Sequence, residues 1–163
     1  MAVTNMRRLA DISRPRKPKR TGFVPPDARI FFEVAVPEQL KITIPCCPPS
    51  KNDYGCREGH DTHKKWFAPW TRWFCDQARR HANAWGLRIF PGKVTIAMTV
   101  HYPRNGRRDR LNVLAFPPLM DALVTSGILT DDSDDVVTLM QLQTGSVIAP
   151  RGSLELVIRE VSE

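Results

Sequence analysis

The stretch RRDRLNVLAFPPLMDALVTSGILTDDSDDVV, Arg107 to Val137, constrains this chain more than any other, because it sets acid groups on both sides of a short helical segment. Asp109 follows a basic run just after a predicted strand, and Asp131, Asp132, Asp134 and Asp135 cluster just before the next one. Carboxylates so far apart in sequence, each at a strand edge, can be folded face to face. Facing carboxylates bind a hard cation such as Mg2+ through oxygen ligands. Arginines beside that cation would meet the phosphates of a nucleic acid. The other reading of the four aspartates is a solvated turn, because turn and capping chemistry also favours Asp.

The rest of the chain supplies the scaffold. Lys93 to Tyr102 alternates Val94, Ile96, Met98 and Val100 against smaller or polar residues, which predicts a strand. Gln39 to Pro45 alternates in the same way, and Ala28 to Val36 is rich enough in aromatic and β-branched residues for an extra strand ended by Pro37. From His63 to Trp85 the period becomes helical. Trp70, Trp73, Phe74, Gln77, Ala78, His81 and Trp85 share one face, and Pro69 suits the first turn. That aromatic stripe reads as core packing in preference to a base-stacking platform. Arg72, Arg79 and Arg80 fall off it. Leu119 to Thr125 is predicted as a short helix opened by Pro117-Pro118 and closed by Gly127. Asp135 to Thr144 and Ser153 to Val161 are predicted as two final strands forming a C-terminal hairpin. The expected class is α/β (α+β): one mixed sheet of four to five strands packed with two helices.

A chain of 163 residues is expected to form one domain with a core large enough to need no staples. Residues 1–38 read as a basic arm with the possible extra strand, disordered over 1–27, and residues 39–163 as the folded domain. Nothing resembles a signal peptide or a membrane span, so a cytoplasmic protein with four reduced cysteines is expected. Net charge is +7, distributed as +6 over residues 1–20, −1 over 21–50, +8 over 51–110 and −6 over 111–163. A basic half with an acidic pocket suits a polyanion held over a metal. A basic surface that only aids solubility is the plainer reading. For the arm, a DNA-backbone contact and a solvated tail stand side by side. Cys56, His60, His63 and Cys75 have the ligand types of a zinc site, but their spacing fits no common finger.

Five pieces in order resemble the RusA family of Holliday junction resolvases, the crossover junction endodeoxyribonucleases common in phages and prophages. They are PPSKN at Pro48 to Asn52, the Trp- and Arg-containing helix, R-R-D-x-x-N at Arg107 to Asn112, the DAL…G…DD…VV run from Asp121 to Val137, and the ending SLELVIRE. The resemblance covers roughly residues 40–163. It implies a dimeric, Mg2+-dependent endonuclease acting on branched DNA. It further implies catalytic roles for Asp109, Asp132 and Asp131, and metal binding by Asp109, Asp132 and Asp135. DNA contacts are implied for Lys51, Asn52, Arg72, Arg79, Arg104, Arg107, Arg108, Arg110 and Asn112. Two positions depart from the family. Leu111 stands where it has a second aspartate, and Pro117 lies nearest its helical lysine. Loss of a carboxylate and a cation would weaken metal binding and charge stabilisation together, so a junction binder without cleavage is the alternative.

Overall fold

Nine apolar side chains at alternate positions of three strands make the floor of the core. The computed structural model describes residues 22–36, 39–47, 63–105 and 117–161. Its strands are β1 (Phe31–Val36), β2 (Gln39–Ile44), β3 (Val94–His101), β4 (Val137–Thr144) and β5 (Ser153–Glu160). They form one mixed sheet in the order β1-β2-β5-β3-β4. Registers of Leu40 and Ile96 with Ile158, Ile42 and Met98 with Leu156, and Ile44 and Val100 with Leu154 put these apolar residues on one face. All of them are buried. Each such side chain contributes about 1.5–3 kcal/mol by leaving water. The opposite face carries Thr95, Ala97, Thr99 and Val157, with Lys41 paired to Glu155 at 3.3 Å.

Helix α1 (Ala68–Trp85) is entered through a π-helical turn, His63–Phe67, and Pro69 occupies its first turn as expected. Its inner face buries Trp70, Trp73, Phe74 and Ala78. Trp70 stacks on Phe74 with centroids 5.7 Å apart and meets Trp73 edge-on at 6.2 Å. Trp85 departs from the expected stripe, being 83% exposed. Its angular position is right, but residues 83–86 are exposed throughout, so the helix runs past the apolar floor before it ends. Helix α2 (Pro117–Thr125) packs on α1, where the Cys75 thiol donates to the Ala122 carbonyl at 3.9 Å. The α+β class, the single sheet and the two helices match the sequence expectation.

Two expectations are corrected. The C-terminal hairpin does not form: β4 and β5 are consecutive in sequence, yet β3 lies between them. β5 carries three fully buried apolar residues, Leu154, Leu156 and Ile158, and takes a central position. β4 exposes Gln141, Gln143 and Thr144 and takes the edge, parallel to β3. Residues 22–27, expected to be disordered, are held by defined contacts. Phe23 donates its N–H to the Lys65 carbonyl at 2.9 Å and packs on Trp73 at 5.7 Å, while Pro26 and Ile30 are buried. The extra strand forms as β1, antiparallel to β2.

Cys46, just beyond β2, is buried, and its thiol pKa is pushed up to about 12, first by burial and then by Cys47, with Arg151 opposing. The folded protein should therefore leave Cys46 unalkylated by iodoacetamide at about pH 8, with modification appearing only on unfolding. Peptide mass spectrometry reads this directly. Because the folded pKa is the higher one, the neutral thiol's stabilising contribution is complete below pH 9.0 and is lost as the pH rises toward 12.

Candidate functional site

The acidic cluster is held between two fixed points of backbone. Upstream, α2 ends in a left-handed glycine, Gly127 at φ 76°, which any residue with a Cβ would adopt only under strain. Ile128 and Leu129 both donate to the Leu123 carbonyl, and Phe90 donates to Ile128 at 2.9 Å. Ile128 and Leu129 are buried, so Asp131 and Asp132 emerge directly from a pinned segment. Downstream, Val136 and Val137 both donate to the Ser133 carbonyl, and Val94 donates to Val136 at 2.7 Å. The acids thus sit on a short bend of defined path.

That bend separates the acids from one another. Asp132 enters a cleft of about 540 Å³ between α1 and α2, whose walls include His63, Thr71, Arg72, Cys75, Asp76, Arg79, Asp121 and Thr125. Asp131 instead turns back, its Oδ1 accepting the Asp132 backbone N–H at 2.9 Å. Asp134 and Asp135 are exposed in the following turn and do not line the cleft. Of the expected acids among the described residues, Asp132 is the one that lines the cleft. Arg72 and Arg79, expected to touch DNA, line it as well, and Arg79 pairs with Asp76 at 3.2 Å. Arg104 is exposed beyond the C-terminal end of β3.

Lys51, Asn52, Cys56, His60, Arg107, Arg108, Asp109, Arg110, Leu111 and Asn112 lie outside the described residues. β3 and β4 are parallel with Val94 opposite Val137, so Asp132 lies by the start of β3. The other end of β3, at His101, is about 23 Å from its start at roughly 3.3 Å per residue. The two strand edges are thus not adjacent. Asp109 stands eight positions before Pro117 in the sequence, a span of at most about 29 Å.

Sequence reasoning missed two cleft acids, Asp121 on α2 and Asp76 on α1. Asp76 had a signal: it is four residues from Arg72 and three from Arg79, so the three share one helix face. Asp121 was read only as part of a motif. His63 and Cys75, weighed as zinc ligands, both line the cleft. Burial raises the Cys75 thiol pKa, with Arg79 opposing and Asp76 adding, which disfavours a thiolate ligand. Asp121 and Asp132 bring two carboxylates to the same cleft. Among the described residues no three His, Cys, Asp or Glu side chains could together hold a metal ion.

No family model matches this chain, and no curated protein matches it. Among solved structures, the periplasmic domain of Helicobacter pylori MotB (residues 90–256) aligns with a TM-score of 0.37 and 10% identity, covering 82% of this chain and 80% of that one. No helix among the described residues is long and apolar enough to cross a membrane.

Proposed function

We propose that this protein is a Mg2+-dependent, structure-specific endonuclease of the RusA type that cuts branched DNA such as a four-way junction. The observation that carries this reading is the α1–α2 cleft, which gathers Asp132 and Asp121 with the exposed cations Arg72 and Arg79. Carboxylates and guanidinium groups facing one space are what a phosphodiester needs when it is held against a cation. A divalent ion bound by Asp132, Asp109 and Asp121 would supply Lewis acidity at the scissile phosphate and acidify bound water.

The chain's own residues do the rest. Arg72 is exposed at the cleft, where its guanidinium can approach phosphate oxygens. Arg79 is held by Asp76 at the same wall, so its charge is positioned before substrate arrives. Together they oppose the negative charge that grows on the phosphate as the bond breaks. The Asp131–Asp132 bend holds the exposed Asp132 at the cleft wall. Two copies related by a two-fold axis would present two such clefts to opposing strands of a junction, so a homodimer is part of the proposal.

A second reading, a junction binder without cleavage, is favoured by one feature. α2 begins at Pro117, so the helix starts five residues after Asn112 and carries proline near the place of the family's lysine. The purified protein incubated with a labelled four-way junction separates the two. Nuclease action predicts paired, symmetry-related nicks that require Mg2+ and are absent with EDTA. Salt-sensitive binding with no nicks at any Mg2+ concentration would leave the binder reading standing and remove the nuclease.

A further inference from the structure

The solvent face of α1 is cationic along most of its length. At 100° per residue, Arg72, Asp76, Arg79, Arg80 and Asn83 fall within an arc of about 100°. Trp70, Phe74 and Ala78, on the buried side, lie about 160° to 240° round from Arg72. Arg72, Arg79 and Arg80 are all exposed. Lys64 and Lys65 are exposed in the π-helical turn that leads into the helix, directly after the cleft residue His63. Asp76 is the one acid between residues 63 and 85, and it is already paired with Arg79 at 3.2 Å.

This face continues the cleft. Arg72 and Arg79 belong to the cleft wall, and Arg80 carries the charge onward round the helix. From Lys64 to Arg80 the row measures about 24 Å at 1.5 Å per residue. Phosphates along one strand of a duplex advance about 3.4 Å per base pair, so the row matches about seven of them. Its support is rigid, because Trp70 and Phe74 are fully buried and Phe74 meets Phe32 of the sheet edge-on at 5.9 Å. It offers little to unpaired bases, which bind by stacking on aromatic rings. Of the Trp and Phe residues from 63 to 85, Trp85 alone is exposed, and it lies about 140° round the axis from Arg72. We infer that the Lys64–Arg80 face of α1 binds the phosphate backbone of a double-stranded DNA arm leading away from the cleft. Lys64, Lys65 and Arg80 are its contacts outside the cleft itself. This inference rests on the nucleic-acid reading above but not on cleavage.

Binding of a labelled four-way junction in EDTA, followed by anisotropy across a salt series, tests it, with one of the junction's strands alone as the comparison ligand. The full-length parent is set against Lys64→Ser/Lys65→Ser/Arg80→Ser. A charge-matched control, Lys93→Ser/Arg151→Ser/Arg159→Ser, removes three cations exposed elsewhere on the fold. Each phosphate contact contributes about 0.9 to the slope of log K against log salt. The α1 variant should reduce that slope by roughly 2 to 3 and weaken junction binding at least about tenfold, while the control changes the slope by less than about 1. Both variants should melt close to the parent, since all six positions are exposed. An unchanged slope in the α1 variant overturns the inference. So does an equal fall in the control, which would mean attraction by net charge alone. A parent that binds the single strand as tightly as the junction overturns the duplex assignment. A parent that binds polyglutamate but no DNA removes both this inference and the nucleic-acid reading, whereas tight junction binding without nicking removes only the nuclease.

Discussion

Asp132→Asn should abolish Mg2+-dependent cleavage of a four-way junction, while Asp131→Asn should leave it within a few-fold of the parent. The two residues are neighbours of the same type, so sequence cannot rank them. The structure does, by orientation: Asp132 lines the α1–α2 cleft, and Asp131 spends an oxygen on the Asp132 backbone N–H. Asparagine at 131 keeps an oxygen that accepts this bond, so the bend survives. Asparagine at 132 keeps the shape but removes the charge that a divalent cation needs, a loss expected to be on the order of 10²–10³ in rate. Asp121→Asn, on the opposite wall, should fall nearer to Asp132→Asn than to Asp131→Asn. Junction affinity in EDTA should hold or rise slightly in all three, because each removes a negative charge near the phosphates. Single-turnover cleavage with a parallel binding assay measures both effects. Equal losses in Asp131→Asn and Asp132→Asn would contradict the assignment of roles, and full activity in Asp132→Asn would remove the cleft from the chemistry.

The same pair of residues shows where sequence reading succeeds and where it stops. Alternation from Val94 to Val100 was legible because one face of β3 is buried and the other is not, so burial imposes period two on the residues themselves. The α1 stripe was legible for the same reason at period 3.6. Gly127 and Pro117 marked the ends of α2 because backbone geometry restricts which residues fit there. What was not legible depends on partners distant in the chain. Placing β5 between β2 and β3 requires comparing the burial of whole strands, and the short link between β4 and β5 suggested a hairpin instead. Asp76 and Asp121 become wall residues only when α1 and α2 pack, an event that neither helix's own pattern encodes. The expected meeting of Asp109 with Asp132 was drawn from strand edges, and the parallel register of β3 and β4 puts those edges at opposite ends of the sheet. Any such meeting depends on the path of residues 106–116.

Trp70→Ala should be the most damaging substitution in the core, and Trp85→Ala among the mildest, although both tryptophans belong to one helical stripe in sequence. Trp70 is fully buried, stacked on Phe74 and edge-on to Trp73, which Phe23 contacts in turn. Removing its ring leaves a cavity among rigid aromatic neighbours that cannot collapse to fill it. Such replacements cost about 3–5 kcal/mol, a large share of the roughly 5–15 kcal/mol that holds a domain folded. Trp85 is 83% exposed on the overhanging last turn, where substitution costs within about 0.5 kcal/mol either way. Urea unfolding of the two variants gives both values, and the m-value shows whether the unfolded state has changed as well. Trp70→Phe should recover part of the loss, because it restores stacking on Phe74 without filling the whole site. A small cost for Trp70→Ala would mean that α1 does not rest on the sheet through this residue. The cleft, which α1 shares with α2, would then lose the rigid wall that positions Arg72 and Arg79.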